Sequence, residues 1–344
     1  MLLFVTAGMV STLSAQECTY QVFADEFNYD GAPLGANWNY ETGAGGWGNN
    51  ELQNYTNSRE NSYVSNGTLK IHAKKSATGV WSSARMVTSG KAAWKYGRFE
   101  IRAKLPTGKG TWPAIWMMPQ KSVYGGWPNS GEIDIMEHVG YDLGTVHGTI
   151  HTEAYNHKIG TQRGGSIYVG DAHTEFHVYS IEWTPDEIKW FVDGEEYYSF
   201  RNPNLTYKEW PFDQPFFLIM NIAIGGDWGG AQGIDENLTE AVMEVDYVRV
   251  IQSSLPDFKV SGPENPEMNS EVEFWVPQIE GVDYNWTIPA DAEIVTGPNS
   301  HRVKVKWGST AGNVGCTMVS ECEEKTGTSL MVNMKVKPET FPFV

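Results

Sequence analysis

The chain has 344 residues and a formal net charge of -17, with 42 acidic against 25 basic side chains. That sign excludes nucleic acid and anionic membrane surfaces as default partners, disfavours sulfated polysaccharides, and leaves a neutral ligand. The length suits one large domain plus a small one. The 14 Trp, 16 Tyr and 14 Phe exceed what such a core needs, and surplus aromatics form flat platforms for sugar rings as well as β-sandwich core.

Residues 2–10 are apolar and lead into Leu13-Ser14-Ala15, the pattern of a signal-peptide h-region and cleavage site, although no Lys or Arg precedes them. Residues 1–15 are too short to span a bilayer, and no later run reaches ~20 apolar residues. The expectation is a secreted, monomeric protein without membrane insertion. Three cysteines make a poor disulfide framework; Cys316 and Cys322 are spaced for a local pair, with Cys18 just past the cleavage site.

Between residues 19 and 252 strand patterns dominate. Leu69-Ile71-Ala73, Phe99-Ile101-Ala103-Leu105 and Tyr179-Ile181-Trp183 alternate with polar neighbours. Lys189 to Val192, Asp193-Gly194 and Glu195 to Phe200 read as a hairpin closed by a type I′ turn. Phe216 to Ile224 is almost continuously apolar, as in a strand buried on both faces between sheets. Val242-Glu244-Asp246 alternates with Met243-Val245-Tyr247 and closes the domain. So many strands without a long amphipathic helix predict an all-β sandwich of jelly-roll type.

Residues 253–257 (Ser-Ser-Leu-Pro-Asp) read as a linker. Beyond them, over 258–344, short alternating strands at Val272-Phe274-Val276, Tyr284-Trp286-Ile288, Val303-Val305-Trp307, Val314-Cys316-Met318 and Leu330-Val332-Met334-Val336 predict a small immunoglobulin-like sandwich centred on Trp286. Its expected role is a spacer or accessory module, with sugar binding as the alternative.

The chemistry concentrates in Gly131-Glu132-Ile133-Asp134-Ile135-Met136-Glu137-His138. Ile133 and Ile135 face a core, with Glu132 and Asp134 opposite. Strict alternation would then expose Met136 and bury Glu137, a costly exchange. A β-bulge near Met136 resets the pleat and returns Glu137 to the acidic face. Two glutamates on one face suit retaining glycoside hydrolysis, whose carboxyl groups stand about 5–5.5 Å apart. Asp134 between them would help keep one glutamate protonated. A solvated acidic strand is the competing reading.

Context decides between them. The ordered segments Trp112-Pro113-Ala114-Ile115-Trp116-Met117, Trp127-Pro128-Asn129-Ser130-Gly131-Glu132, His147-Gly148-Thr149-Ile150-His151 and Gly225-Gly226-Asp227-Trp228 resemble glycoside hydrolase family 16, specifically its laminarinase-like endo-β-1,3-glucanases. The C-terminal module loosely resembles PKD-like modules of secreted polysaccharide-degrading enzymes. The family resemblance implies Glu132 as nucleophile, Glu137 as acid/base and Asp134 as the intervening aspartate. Met136 is similar to the bulged branch of the family. Neither carboxylate needs a metal for this reaction.

Resemblance further implies Trp116 near the reacting sugar, His151 in the cleft near the acid/base, and Arg85 reaching sugar hydroxyls, with a surface salt bridge as the alternative for Arg85. Trp127, between Gly-Gly and Pro-Asn, reads as an exposed stacking residue; Trp112 is open between core and cleft. His147 is expected to be structural. A His147–His151 metal pair is set aside, because a strand lacks helical H-x-x-x-H geometry and no co-ligands are evident. Asn49 or Asn50 in Trp47-Gly48-Asn49-Asn50-Glu51-Leu52-Gln53 would hold a glucosyl unit, or merely turn the chain. Trp228 is a stacking candidate on the opposite rim. A structural calcium is the one cofactor implied, with Asp246 as carboxylate ligand and backbone carbonyls near Glu26 and Gly67. The implied substrate is a neutral β-1,3- or mixed-linkage β-1,3-1,4-glucan. Agarose- or carrageenan-type hydrolysis, transglycosylation and a non-catalytic glucan binder on the same fold are the alternatives.

Overall fold

The computed structural model describes residues 18–333. The signal-peptide expectation, and the end of the last predicted strand at Val336, lie outside them. The described residues are all-β, apart from one 3₁₀ turn at His157–Ile159. They divide into two units, Gln21–Ile251 and a second holding Gln252 onward together with the residues up to Tyr20.

The large unit is two β-sheets packed face to face. One sheet has seven strands, in the order Arg163–Tyr168, Thr145–His151, Glu132–His138, Thr111–Pro119, Phe216–Ile224, Arg85–Val87 and Asn39–Tyr40. The ten-stranded sheet has at its centre His177–Trp183, Gly97–Lys104, Glu240–Gln252 and Thr68–Lys75. Their inward faces supply one apolar core that includes Ile115, Met117, Ile133, Leu218 and Ile222 from the first sheet and Phe99, Ile101, Ile181 and Trp190 from the second. Alternation explains the split. In Thr111–Pro119, Ile115 and Met117 point inward, while Trp112, Trp116 and Met118 stay half-buried on the outer face.

The expected hairpin forms between Glu187–Val192 and Glu195–Arg201. Asp193 and Gly194 both take positive φ (50° and 84°), as a type I′ turn requires. Phe216–Ile224 is buried at all nine positions, but only one face looks across the sandwich. The other, with Phe217 and Ile219, is covered by Trp116 and Met118 of the same sheet.

In the smaller unit a three-stranded sheet (Glu271–Trp275, Arg302–Lys306, Glu293–Thr296) accompanies a second set built on Asp283–Thr287 and Gly312–Val319. Its centre is Trp307 and Phe274, both buried and in ring contact. Trp286 is only half-buried and hydrogen-bonds the Ser300 carbonyl at its edge, so the expected central role passes to Trp307. The local pair that the spacing of Cys316 and Cys322 would allow does not form. Cys18 bridges Cys322 and Cys316 is free and buried, because the alternation of Val314, Cys316 and Met318 turns all three inward while Cys322 lies on an exposed turn. The linker stretch is also tied down. Leu255 is buried, its carbonyl accepts a hydrogen bond from Lys325 at 2.9 Å, and Lys325 pairs with Asp257.

Candidate active site

The acidic strand carries the bulge that its sequence demands. Pairing with Thr111–Pro119 runs Ile133 to Met117 and Asp134 to Trp116, then slips so that Met136 meets Ile115 and Glu137 meets Ala114. Pairing with Thr145–His151 slips over the same residues. Ile135 and Met136 are thus both buried, and Glu137 rejoins Glu132 and Asp134 on the outer face. Trp190 of the other sheet reaches through the core to the bulge, donating its indole N–H to the Asp134 carbonyl at 2.8 Å. Gly148 leaves the room: a Cβ there would stand 2.3 Å from the Trp190 ring.

The three carboxylates line a cleft of about 300 Å³ with Trp47, Asn49, Glu51, Arg85, Trp112, Trp116, Trp127, His157, Lys158 and Asn221. Its floor follows the pairing register. Arg85 stands beside Asn221, Asn221 beside Ala114, and Ala114 beside Glu137. The small Ala114 and Ala223 keep that floor low beneath the indoles.

Each glutamate has its own indole donor. Trp127 Nε1 donates to Glu132 Oε2 at 2.9 Å and Trp112 Nε1 to Glu137 Oε1 at 3.0 Å. Trp112 therefore belongs to the cleft. Trp127 also belongs there, half-buried rather than exposed. Asp134 is nearly inaccessible, so this face is not the water-facing strand that simple alternation suggests. Burial raises the carboxyl pKa of all three, and repulsion from neighbouring carboxylates adds to the effect at Glu132 and Asp134. The indole N–H groups oppose it at the two glutamates, favouring their ionised forms. Such a cluster retains protons where isolated carboxylic acids have lost them.

His151 sits elsewhere than expected. It pairs with Glu132, not Glu137, and its Nε2 lies 3.7 Å from Glu132 and 3.4 Å from Asp134. Burial lowers its pKa to about 3 and keeps the imidazole neutral. The strand register decides this: His147 falls opposite Glu137, where its ring meets Trp228. His147 and His151 do not come together as a metal pair; His151 stands instead with two carboxylates. Glu132, Asp134 and His151 are a group that could hold an ion.

Arg85 lines the cleft and is ion-paired at the same time. Its guanidinium lies 4.8 Å from the Trp47 ring and 4.6 Å from the Trp116 ring, while Nε donates to Glu41 at 2.6 Å. Asn49 lines the cleft and donates to Glu51, whereas Asn50, at φ 57°, turns the loop and donates to Asp227. Trp228 is half-buried, with its ring edge-on to Trp112, and does not itself line the cleft.

Several lining residues escaped the sequence reading. Asn221 had a signal, being the lone amide in a nine-residue apolar run. It accepts from Trp116 Nε1 at 2.7 Å and donates to the Tyr55 hydroxyl at 2.9 Å. Glu51 continues the network through Tyr55 and Gln53. His157 and Lys158 arrive on the 3₁₀ turn and flank Trp127, Lys158 Nζ lying 4.8 Å from its ring; nothing in their local sequence marked them.

Two of the residues implied for calcium are ion-paired through their side chains. The Asp246 carboxylate pairs with Arg102, and Glu26 makes a two-pronged ion pair with Arg249 at 2.7 Å. Gly67 turns between Ser62–Ser65 and Thr68–Lys75 at φ 72°. An ion at this place would have to draw the Asp246 carboxylate away from Arg102.

Residues 49–249, more than half of the chain, match Glycosyl hydrolases family 16. The chain belongs to this family. Residues 255–332 match a PKD-like domain. The beta-glucanase of Rhodothermus marinus is 59% identical to this family member over 239 residues, covering 67% of this chain and 84% of that protein. The X-ray structure of the laminarinase from Rhodothermus marinus aligns with a TM-score of 0.67 at 56% identity, over 69% of this chain and 99% of that one. SCLam, a non-specific endo-β-1,3(4)-glucanase of family 16, aligns at 0.66 and 47% identity, over 70% and 94% of the two chains.

Proposed function

We propose that the protein is a secreted, monomeric, retaining endo-glucanase acting on neutral β-1,3-glucan or mixed-linkage β-1,3-1,4-glucan. Glu132 attacks the anomeric carbon while Glu137 protonates the leaving oxygen; water activated by Glu137 then releases the glycosyl-enzyme, so configuration is retained. One observation carries this reading: the bulge at Ile135–Met136 brings two indole-anchored glutamates to one wall of an aromatic cleft. Trp127 and Trp112 hold the two carboxylates in place, and the buried Asp134 stands between them on the same face. The indoles around the cleft offer apolar faces to pyranose rings, while Asn49 and Asn221 offer polar groups to hydroxyls. Substrates of the similar proteins point to the same glycan class.

The deciding experiment incubates the protein with laminarin, mixed-linkage glucan and agarose and sizes the products. Internal cleavage of the first two is expected, and products from agarose alone would discard the glucan assignment. Glu132→Ala and Glu137→Ala should each lower turnover about 10³-fold or more with an unchanged circular dichroism spectrum. Retention of most activity by either variant would remove that residue from its role.

A structural Ca²⁺ in the implied place would take the Asp246 carboxylate from Arg102, with carbonyls near Glu26 and Gly67 completing an oxygen shell. It would raise the Tm of EGTA-treated protein on adding Ca²⁺, and Asp246→Asn would abolish the rise. An unchanged Tm discards the ion.

A further inference from the structure

Three ligand atoms converge at the Glu132 end of the cleft. Nε2 of His151 lies 3.4 Å from Oδ2 of Asp134 and 3.7 Å from Oε1 of Glu132, and one ligand atom from each of the three residues lies within 4.8 Å of the others. A tetrahedral ion with bonds of about 2.0–2.1 Å has ligand–ligand edges of about 3.3–3.4 Å. The two separations from Nε2 match those edges to a few tenths of an ångström. A second observation is independent of the clustering. Asp134 is 2% exposed, and its Oδ2, the atom aimed at His151, has no hydrogen-bond partner among the described residues. A buried carboxylate oxygen so placed is costly unless something electropositive meets it. Trp127 takes Oε2 of Glu132 and leaves Oε1 facing the other two ligand atoms.

We infer that Glu132, Asp134 and His151 form a binding site for a divalent transition-metal ion of the Zn²⁺ type, which blocks glucan hydrolysis reversibly while bound. The donor set decides the class of ion. One imidazole nitrogen and two carboxylates suit Zn²⁺ or Cu²⁺, whereas Ca²⁺ takes six to eight oxygens at longer range and Mg²⁺ retains its waters. Glu132 and Asp134 line the cleft, so the remaining coordination position opens where a sugar would lie, and ion and glucan compete. The ion also occupies the oxygen that must attack. The inhibitory part rests on the proposed role of Glu132; the binding part does not.

The test uses the full chain, dialysed against EDTA and then freed of chelator. Titration with ZnCl₂ in a calorimeter should show one saturable site, and CoCl₂ should give visible absorption of tetrahedral intensity. Inhibition of laminarin hydrolysis by Zn²⁺ should be reversed by EDTA and relieved by more laminarin. His151→Gln should weaken Zn²⁺ binding about tenfold or more. Asp134→Asn, checked for folding by its melting curve, should do the same. No saturable binding up to millimolar Zn²⁺, binding unchanged in both variants, or saturation without inhibition of an active enzyme would each overturn the inference. If the protein proved inactive on every glucan, the calorimetric and Co²⁺ measurements would still decide the site.

Discussion

The strands Glu132–His138 and Phe216–Ile224 flank the same neighbour, Thr111–Pro119, yet they are built on opposite terms. The apolar strand pairs nine consecutive residues with that neighbour without a slip. The acidic strand makes four pairs and slips in the middle. Regularity in the first fixes where the indoles of Thr111–Pro119 stand, and irregularity in the second re-aims one carboxylate among them. The sheet thus separates its tasks: one edge of the cleft is a packing problem, the other an electrostatic one. Asn221 shows the same division in miniature, its amide being the single polar group that the apolar strand lends to the cleft.

Removing the irregularity should have the largest effect. Deleting Met136 makes Ile135 the immediate neighbour of Glu137, restores alternation and keeps Glu137 outward, but displaces its carboxylate along the strand by up to the ~3.3 Å rise per residue. Misplacement on that scale should cut kcat about 10²-fold, measured on laminarin, with the β-sheet spectrum retained.

The converse break is Ile222→Ala, which leaves a cavity beneath the apolar strand. It should cost about 2–5 kcal/mol in urea unfolding while the folded fraction keeps kcat within a few-fold of the parent. If instead turnover collapsed and stability held, the division of labour between the two strands would be wrong.

A finer probe is Trp112→Phe, which removes the N–H that favours the ionised form of Glu137. Burial already raises that carboxyl above its ordinary range, and the acid/base role proposed for Glu137 makes the alkaline limb of the pH–rate profile report loss of its proton. Without the donor the proton is held more tightly, and the limb should move up by about one pH unit with a modest fall in kcat. A shift to lower pH would mean that Trp112 does not act on Glu137.

Much of this contrast was legible beforehand, for a physical reason: both strands announce themselves through the two-residue period. Nine near-continuous apolar residues indicate burial on both faces. A Met and a Glu in the wrong phase force a bulge, since neither residue is tolerated on the face that regular pairing would give it. Register between strands was not legible. His147 and His151 share a face, but which meets Glu137 depends on how the acidic strand and its partner align, and the slip at Met136 alters that alignment. Contacts across long separations were also hidden, as in the Cys18–Cys322 bridge and the Arg85 guanidinium beside Trp47 and Trp116. Such contacts are products of the finished tertiary structure and leave no local period to read.

The bond from Trp190 to the Asp134 carbonyl ties one sheet of the sandwich to the other. It makes the far layer a stakeholder in catalysis, although no atom of that layer need touch the sugar. Warming that loosens one layer against the other would free the kink before the strands part, so heat would silence the enzyme while its fold still stands.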